Sequence, residues 1–389
     1  MDIDINKFGF GVNIMGSFQS EKGLGAAVRS DVYSLTAAGI PSACNNLPDM
    51  GSVNNDKTFD FFLNENPYIF NLIHINPHTS VRIGESVINF FEYLDKNTNY
   101  LYGHYNIGCW VWELDRIPEY WVDISRYLHE IWTPSDFSFQ SLSKDLPIPV
   151  IKIPHSISIA ENSFEPVLKR DHFNIPEDVF LFLFMFDAES YIERKNPFAV
   201  IDAFKKAFKP EEKAMLFIKA AHLCSNKNKL KFYELLKMIK GYNITVFDQV
   251  LTSEQTYSLV SISDCYVSLH RSEGFGLTMA EAMALGKPVI ATGYSGNMDF
   301  MNKENSYPVD YRLIKIEEDY GVYKRGNFWA DPSIDEAAKY MRHVFENRNE
   351  ADLVGKKGKE FIKKFYSPSF LGNMYYKERL NNIMKNYEL

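Results

Sequence analysis

The stretch HRSEGFGLTMAEAMALGKPVIA, residues 270–291, sets two carboxylates, Glu273 and Glu281, around a small loop, Gly274-Phe275-Gly276. An apolar run ends at Leu269, and a helical pattern begins near Leu277. The mouth of a helix offers unpaired N–H groups and a partial positive charge. Glycines there let an anion come close to the backbone. The loop therefore suits a phosphate or diphosphate. Glu273, just before it, can accept hydrogen bonds from hydroxyls of a group carried by that phosphate. Glu281, about one turn inside the helix, can accept both hydrogen bonds of a vicinal diol such as a ribose. The same two acids would also stabilise a helix start with no ligand at all. A Gly-x-Gly before a helix is, alone, a weak signal.

Such a site needs strands that stop and helices that start at set places. Residues 8–15, FGFGVNIM, read as a first strand. The loop GSFQSEKGLG follows, and a helix runs from about Leu24 to Ala38 with Val28, Val32 and Leu35 on one face. Further strands are expected over 68–75, 105–111, around 130–133, and over 150–153, with a helix starting near Ser135. Residues 155–178, HSISIAENSFEPVLKRDHFNIPED, are polar and aperiodic and read as a linker. The pattern then restarts. Strands are expected at 179–186, 215–219, 244–247, 265–269 and 289–291, alternating with helices after Pro197, over 229–239, over 253–261 with Thr252 as N-cap, and over 277–285. Two doubly wound α/β domains follow from this alternation. In such folds ligands sit at the carboxyl ends of the strands.

Composition narrows the function classes. The 389 residues suggest two domains, and 46% hydrophobic content supplies a sizeable core. The net charge of −8 gives no general attraction to nucleic acid. Local basic runs, Lys356-Lys357-Gly358-Lys359 and Lys363-Lys364, could touch anionic lipid or simply be solvated. The four cysteines, Cys44, Cys109, Cys224 and Cys265, have no metal or redox spacing, and reduced thiols in the cytoplasm are expected. The N-terminus does not read as a signal peptide, and no apolar run is long enough to span a bilayer. His74-x-x-x-His78 has the spacing of a helical metal pair, but Pro77 and the strand before it argue against a metal there.

As a block, residues 273–289 resemble the signature of retaining glycosyltransferases of family 4. That pattern is Glu, seven residues, Glu, with Gly-Phe-Gly inside and Glu-Ala-Met-Ala-x-Gly-x-Pro-Val after. The resemblance implies a GT-B fold: two doubly wound Rossmann-like domains facing across a cleft. The first would be an acceptor-side domain over 1–157, joined by a C-terminal crossover helix at about 367–389. The second, over 158–366, would bind the nucleotide sugar. Carried over, Glu273 would lie beside the transferred sugar and Glu281 on the nucleotide ribose. Gly274, Phe275, Gly276, Leu277 and Thr278 would hold the diphosphate or sugar hydroxyls, with Asn297 near the donor. Gly23 and Gly25 resemble the family's first glycine loop, and Arg194-Lys195 its basic pair.

Two departures matter. Many members end the first strand of the second domain with an arginine, whereas this chain has Phe186-Asp187 and a longer loop. Lys195 is therefore the safer carry-over than Arg194. A catalytically important His of the first domain is replaced by Trp112-Glu113, within YNIGCWVWE. Together with Pro118 to Trp121, this resembles a bacterial polysaccharide-assembly branch, and makes Glu113 a candidate for contact with donor or acceptor sugar.

The resemblance implies retaining transfer of a hexose, such as mannose, from a GDP- or UDP-linked donor to a glycan or lipid-linked acceptor. No cofactor and no metal would be needed, and no nucleic acid is involved. The expected location is cytoplasmic, with peripheral contact at the inner face of the membrane as an option. Two other readings share the architecture: a sugar-nucleotide 2-epimerase, and a non-enzymatic carbohydrate-binding protein. A nicotinamide dehydrogenase is disfavoured, because Gly23-x-Gly25 continues to Val28 rather than glycine.

Overall fold

The computed structural model describes residues 3, 4, 6–49, 52–63, 65–83, 86–158 and 167–387. The chain divides into two compact units, Met1–Ser158 with Phe365–Leu389, and Ile159–Lys364. Among the described residues no helix is long and apolar enough to cross a membrane, and all four cysteines are free.

The first unit is built on strands β1 (Gly9–Gly16), β2 (Ser42–Asn46), β3 (Tyr68–Ile73), β6 (Tyr105–Cys109), β7 (Glu130–Thr133) and β8 (Val150–Lys152). They pair in parallel in the order β2-β1-β3-β6-β7-β8. Strands β4 (Ser80–Ile83) and β5 (Ser86–Asn89) form a separate antiparallel hairpin. Setting that hairpin aside, the order is the flavodoxin-like 2-1-3-4-5-6, whose switch point lies between β1 and β3. Helices α1 (Gly23–Ala37), α2 (Phe90–Asn97), α3 (Tyr120–Ser125) and α4 (Asp136–Asp145) complete the layer. Three buried asparagines fix the sheet's register. Asn13 Nδ2 donates to Asn71 Oδ1 at 2.9 Å, and Asn71 Nδ2 to Asn106 Oδ1 at 2.8 Å. They are register partners across β1, β3 and β6. A one-residue slip would leave these amides buried and unpaired, which apolar residues alone would not forbid.

The second unit uses β9 (Phe180–Asp187), β10 (Ala214–Ala221), β11 (Ile244–Asp248), β12 (Cys265–Ser268), β13 (Val289–Thr292) and β14 (Tyr307–Val309). Their order is β11-β10-β9-β12-β13-β14, all parallel. In local numbering that is 3-2-1-4-5-6, the Rossmann order, with its switch point between β9 and β12. Strand β9, FLFLFMFD, is buried on both faces except at Asp187, as a central parallel strand requires. Helices α5 (Ile192–Lys195), α6 (Pro197–Ala207), α7 (Lys229–Ile239), α8 (Ser253–Ile262), α9 (Leu277–Ala284), α10 (Ile334–Glu346) and α11 (Arg348–Phe365) surround the sheet, and β15 (Tyr311–Lys315) and β16 (Phe328–Pro332) form a hairpin. Thr252 caps α8, accepting from Gln255 N at 3.2 Å.

The polar 155–178 segment is not wholly a linker. His155, Ser156 and Ile157 are buried in the first unit, and Phe173 and Ile175 are buried in the second. Phe173 stacks edge-on against Phe217 and Phe247. Residues 159–166 lie outside the described residues.

The chain's end returns to the first unit. Helix α12 (Pro368–Leu371) and the π-helical turn after it pack against α1, and α13 (Glu378–Tyr387) follows. Leu371, Tyr376, Leu380 and Ile383 join that unit's core, whereas Tyr375 is only half-buried. A Cβ at Gly372 would stand 2.1 Å from the Ser34 carbonyl oxygen, so only glycine permits this approach. Tyr376 donates to Asp31 Oδ1 at 2.7 Å, and Asp31 Oδ2 pairs with His74. Tyr376→Phe should leave the buried Asp31 one donor short. It is expected to lower the stability of this unit by about 1–3 kcal/mol. Urea unfolding followed by tryptophan fluorescence would check it, since Trp132 packs edge-on against Tyr376.

Candidate active site

Glu273 lies in the loop between β12 and α9, and Arg194 and Lys195 end the short helix α5 after β9. These loops flank the switch point of the second sheet. Hydrogen bonds to backbone carbonyls lash them together. Asn196 Nδ2 donates to the Leu269 carbonyl at 2.9 Å, Arg271 N to the Arg194 carbonyl at 2.8 Å, and Arg194 Nη1 to the Ser272 carbonyl at 2.8 Å. The turn that makes this possible is costly: Tyr191 and Asn196, on either side of α5, have φ of 66° and 56°.

The result is a compact charge cluster. Lys195 Nζ meets Glu273 Oε1 at 2.5 Å, and Arg194 Nη1 stands 3.4 Å from Oε2. Arg194 is 4% exposed, so it is not a solvated helix-start residue. Burial alone would raise the Glu273 carboxyl, but Lys195 and Arg194 outweigh it and hold it at about 2. Two cations therefore face the Glu273 carboxylate. His270, fully buried beside them, is lowered to about 4 by burial and adds no further charge at neutral pH. Its ring nitrogens and Asn297 Oδ1 are buried close to one another, with no well-formed hydrogen bond among the described residues.

A third loop, after β13, closes on the glycines. Glu273 N donates to Ser295 Oγ at 2.8 Å and Gly296 N to the Glu273 carbonyl at 2.9 Å. A Cβ on Gly296 would stand 2.3 Å from the Gly274 oxygen. Gly276, with φ of 97°, begins α9 without a side-chain cap. The first-turn amides at Leu277 and Thr278 are thus not taken by a capping side chain. Phe275 is buried and packs against Phe300. Asn297 is fully buried, and its Nδ2 donates to the Thr292 carbonyl at 3.0 Å. Its amide nitrogen therefore holds the turn. Glu281 is buried on α9 and accepts from Tyr257 Oη of α8 at 3.3 Å.

The remaining candidates belong to the first unit. Gly23 has open space around it, whereas a Cβ at Gly25 would stand 2.1 Å from the Ser20 oxygen. Gly25 is thus fixed by packing of the loop. Arg29 shapes that loop, donating to the Phe18 and Ser20 carbonyls at 2.6 and 2.8 Å and pairing with buried Asp56 at 3.2 Å. Glu113 follows β6, half-buried, on a segment anchored by three tryptophans: Trp121 packs edge-on against Trp110 and Trp112 at 5.4 and 4.9 Å. Among the described residues Asp31, His74 and Cys109 bring donor atoms within 4.8 Å of one another. The Asp31 carboxylate is already engaged by His74 and Tyr376.

Sequence reasoning missed four residues at the second unit's site: His270, Ser295, Tyr257 and Arg271. Arg271 lies over the Trp329 ring at 5.3 Å, and Tyr323 of the same hairpin region packs on Tyr191 and under Arg194. The aromatic spacing of 320–329 was the available signal.

Residues 168–361 match the family model described as Glycosyl transferases group 1. The second unit is a group 1 glycosyltransferase domain. The chain is 32% identical over 111 residues to ORF313 of Acidianus filamentous virus 1, a protein with a provisional glycosyltransferase assignment. That match takes in 27% of this chain and 33% of the viral protein, so the chain spans about a third of the curated relative it matches. Among solved structures, a glycosyltransferase of Rickettsia africae superposes with a TM-score of 0.67 at 14% identity, covering 97% of this chain and all of that one. HepE of Anabaena, solved with UDP and glucose, gives 0.63 at 11%, covering 96% of this chain and all of that one. These likenesses establish the fold: two Rossmann-like α/β units of the GT-B type.

A carboxyl held near 2 in the folded domain, against 4.5 as its ordinary value, adds stability above pH 4.5 that is lost as pH falls toward 2. Glu273→Gln should therefore destabilise the chain at pH 7, by roughly 3 kcal/mol. The gap to wild type should narrow below pH 4.5. Thermal unfolding of both proteins across pH would show it.

Proposed function

We propose that this chain transfers a hexose from a nucleoside diphosphate sugar to a glycan or lipid-linked acceptor, with retention of anomeric configuration. The observation that carries the reading is the Lys195–Glu273–Arg194 cluster beside a glycine-opened helix mouth at a Rossmann switch point. A departing diphosphate is the chemistry that suits it. As the bond to the anomeric carbon breaks, negative charge grows on the leaving oxygen and positive charge on the sugar. Lys195, Arg194 and the amides at the start of α9 would meet the first without a metal on the donor. Glu273, ionised throughout the physiological range, would orient the sugar and offset the second. Such preorganised groups are worth about 3–4 kcal/mol each when removed. The leaving phosphate would take the proton of the incoming acceptor hydroxyl, which enters on the same face.

Glu281 would bind the nucleotide ribose, its carboxylate already oriented by Tyr257. Glu113 and the Gly23–Gly25 loop are assigned to sugar and acceptor contact by the resemblance alone. UDP is the first nucleotide to test, because it is the one bound in HepE, with GDP second. The product would be a surface polysaccharide, assembled on the cytoplasmic side.

The test begins with binding of UDP, GDP, ADP and dTDP, followed by transfer assays with the matching sugar nucleotides. Glu273→Ala and Lys195→Ala should each lower kcat/KM by on the order of 100- to 1000-fold. Full activity in either variant, or an inverted anomer by NMR, would sink the proposal. Turnover of donor to its C2 epimer with no acceptor present would replace it with the epimerase reading.

A further inference from the structure

Helix α7, KLKFYELLKMI, is apolar on more than the side it needs. Leu235 is fully buried, and Phe232, Met238 and Ile239 pack against the second unit's core. On the opposite side Leu230, Tyr233 and Leu236 stand 85%, 56% and 38% exposed. Leu230 is the most exposed large hydrophobic side chain among the described residues. The outward face of a surface helix is ordinarily polar, so three large apolar side chains on it are unusual.

The lysines decide what covers it. Lys227 and Lys231 are taken up by Glu189 at 3.9 Å and Glu193 at 3.5 Å. Lys229, Lys237 and Lys240 are exposed and have no ion-pair partner among the described residues. At helical spacing they interleave with Leu230, Tyr233 and Leu236 on one arc. Glu234 is the single acid of the helix. This cationic, apolar arc belongs to a chain of net charge −8, so it is a local feature and not a reflection of overall composition. The lysine runs of α11 differ. Lys356, Lys357 and Lys359 share their helix with one well-exposed large apolar side chain, Leu353. They offer charge with little to insert.

We propose that the outer face of α7 is a membrane-surface contact for anionic phospholipid. Leu230, Tyr233 and Leu236 enter the headgroup region while Lys229, Lys237 and Lys240 reach the lipid phosphates. Leucine supplies apolar area, tyrosine suits the boundary between wet and apolar layers, and long lysine stems let the charges stay at the phosphate level. The inference does not depend on the sugar-transfer reading, since it is read by binding alone.

The full chain is mixed with vesicles of phosphatidylcholine, with or without phosphatidylglycerol, and separated by flotation at low and high salt. The wild type should float with the phosphatidylglycerol vesicles, weakly or not at all with pure phosphatidylcholine, and much less at high salt. The triple variant Lys229→Gln, Lys237→Gln, Lys240→Gln should lose roughly 100-fold in partitioning, from about fivefold per lysine. Leu230→Ser with Tyr233→Ser should lose at least about tenfold from the apolar area withdrawn. All five sites are exposed, so circular dichroism should show both variants folded. Failure of the wild type to bind, equal binding to neutral vesicles, or undiminished binding by both variants would overturn the proposal. So would a dimer in sedimentation that Leu230→Ser dissolves while vesicles are ignored, because a second copy of the chain would then be the occupant.

Discussion

A carboxylate withdrawn from water must be met by positive charge, or it takes up a proton and ceases to be a carboxylate. Glu273 meets that condition with two cations delivered by a different strand's loop. Everything at the site follows from the delivery. Arg194 and Lys195 come after β9 and Glu273 after β12, so the two strands must be neighbours although a long stretch of chain separates them. The Rossmann strand order makes them neighbours, and its switch point leaves room between the loops that follow them. The unusual backbone of Tyr191 and Asn196 is the local cost of turning both cations inward. The hydrogen bonds from Asn196, Arg271 and Arg194 to backbone carbonyls hold the turn against relaxation.

The third loop adds a constraint of its own. Ser295 has φ 73° and ψ −151°, a region essentially reserved for glycine. Its hydroxyl accepts from Glu273 N, and the next residue, Gly296, lies nearly against Gly274. A serine stands where glycine would be unstrained, and its hydroxyl supplies an acceptor that glycine lacks. The strain therefore fixes the carboxylate's backbone, as the ion pairs fix its side chain. Charge and geometry are set by separate devices, and each limits what the other can drift to.

The architecture was legible from alternation of apolar strands and amphipathic helices, and the fully apolar β9 could hardly be anything but a central strand. The glycine-glutamate block was legible because its residue types and spacing are local in sequence. The rest was not, for physical reasons. The asparagine ladder of Asn13, Asn71 and Asn106 joins three strands far apart in the chain, and nothing local marks it. Burial of Arg194 depends on where its loop folds, and an Arg-Lys pair at a helix start reads equally well as solvated. His155 and Phe173 sit at opposite ends of a polar stretch, so composition hid that each belongs to a core. The β15–β16 hairpin lay in a segment with no clear period, although its Trp329 and Tyr323 brace Arg271 and Tyr191.

Charge accounting joins the site to the rest of the molecule. An acidic chain repels polyanions in general, so a tolerated anion must find a local excess of positive charge. The second unit gathers cations in two forms. At the switch point the cations are few, buried and rigidly held, and His270 stays neutral because the same burial that strengthens the ion pairs penalises another charge. Low dielectric makes each interaction there strong, and selective for a ligand that fits between the loops. On α7 the surplus is exposed, flexible and mixed with leucine and tyrosine, where water and salt weaken every contact. Tight recognition of one small anion demands the first arrangement. Loose association with an extended anionic surface is satisfied by the second, and burying those lysines would defeat it.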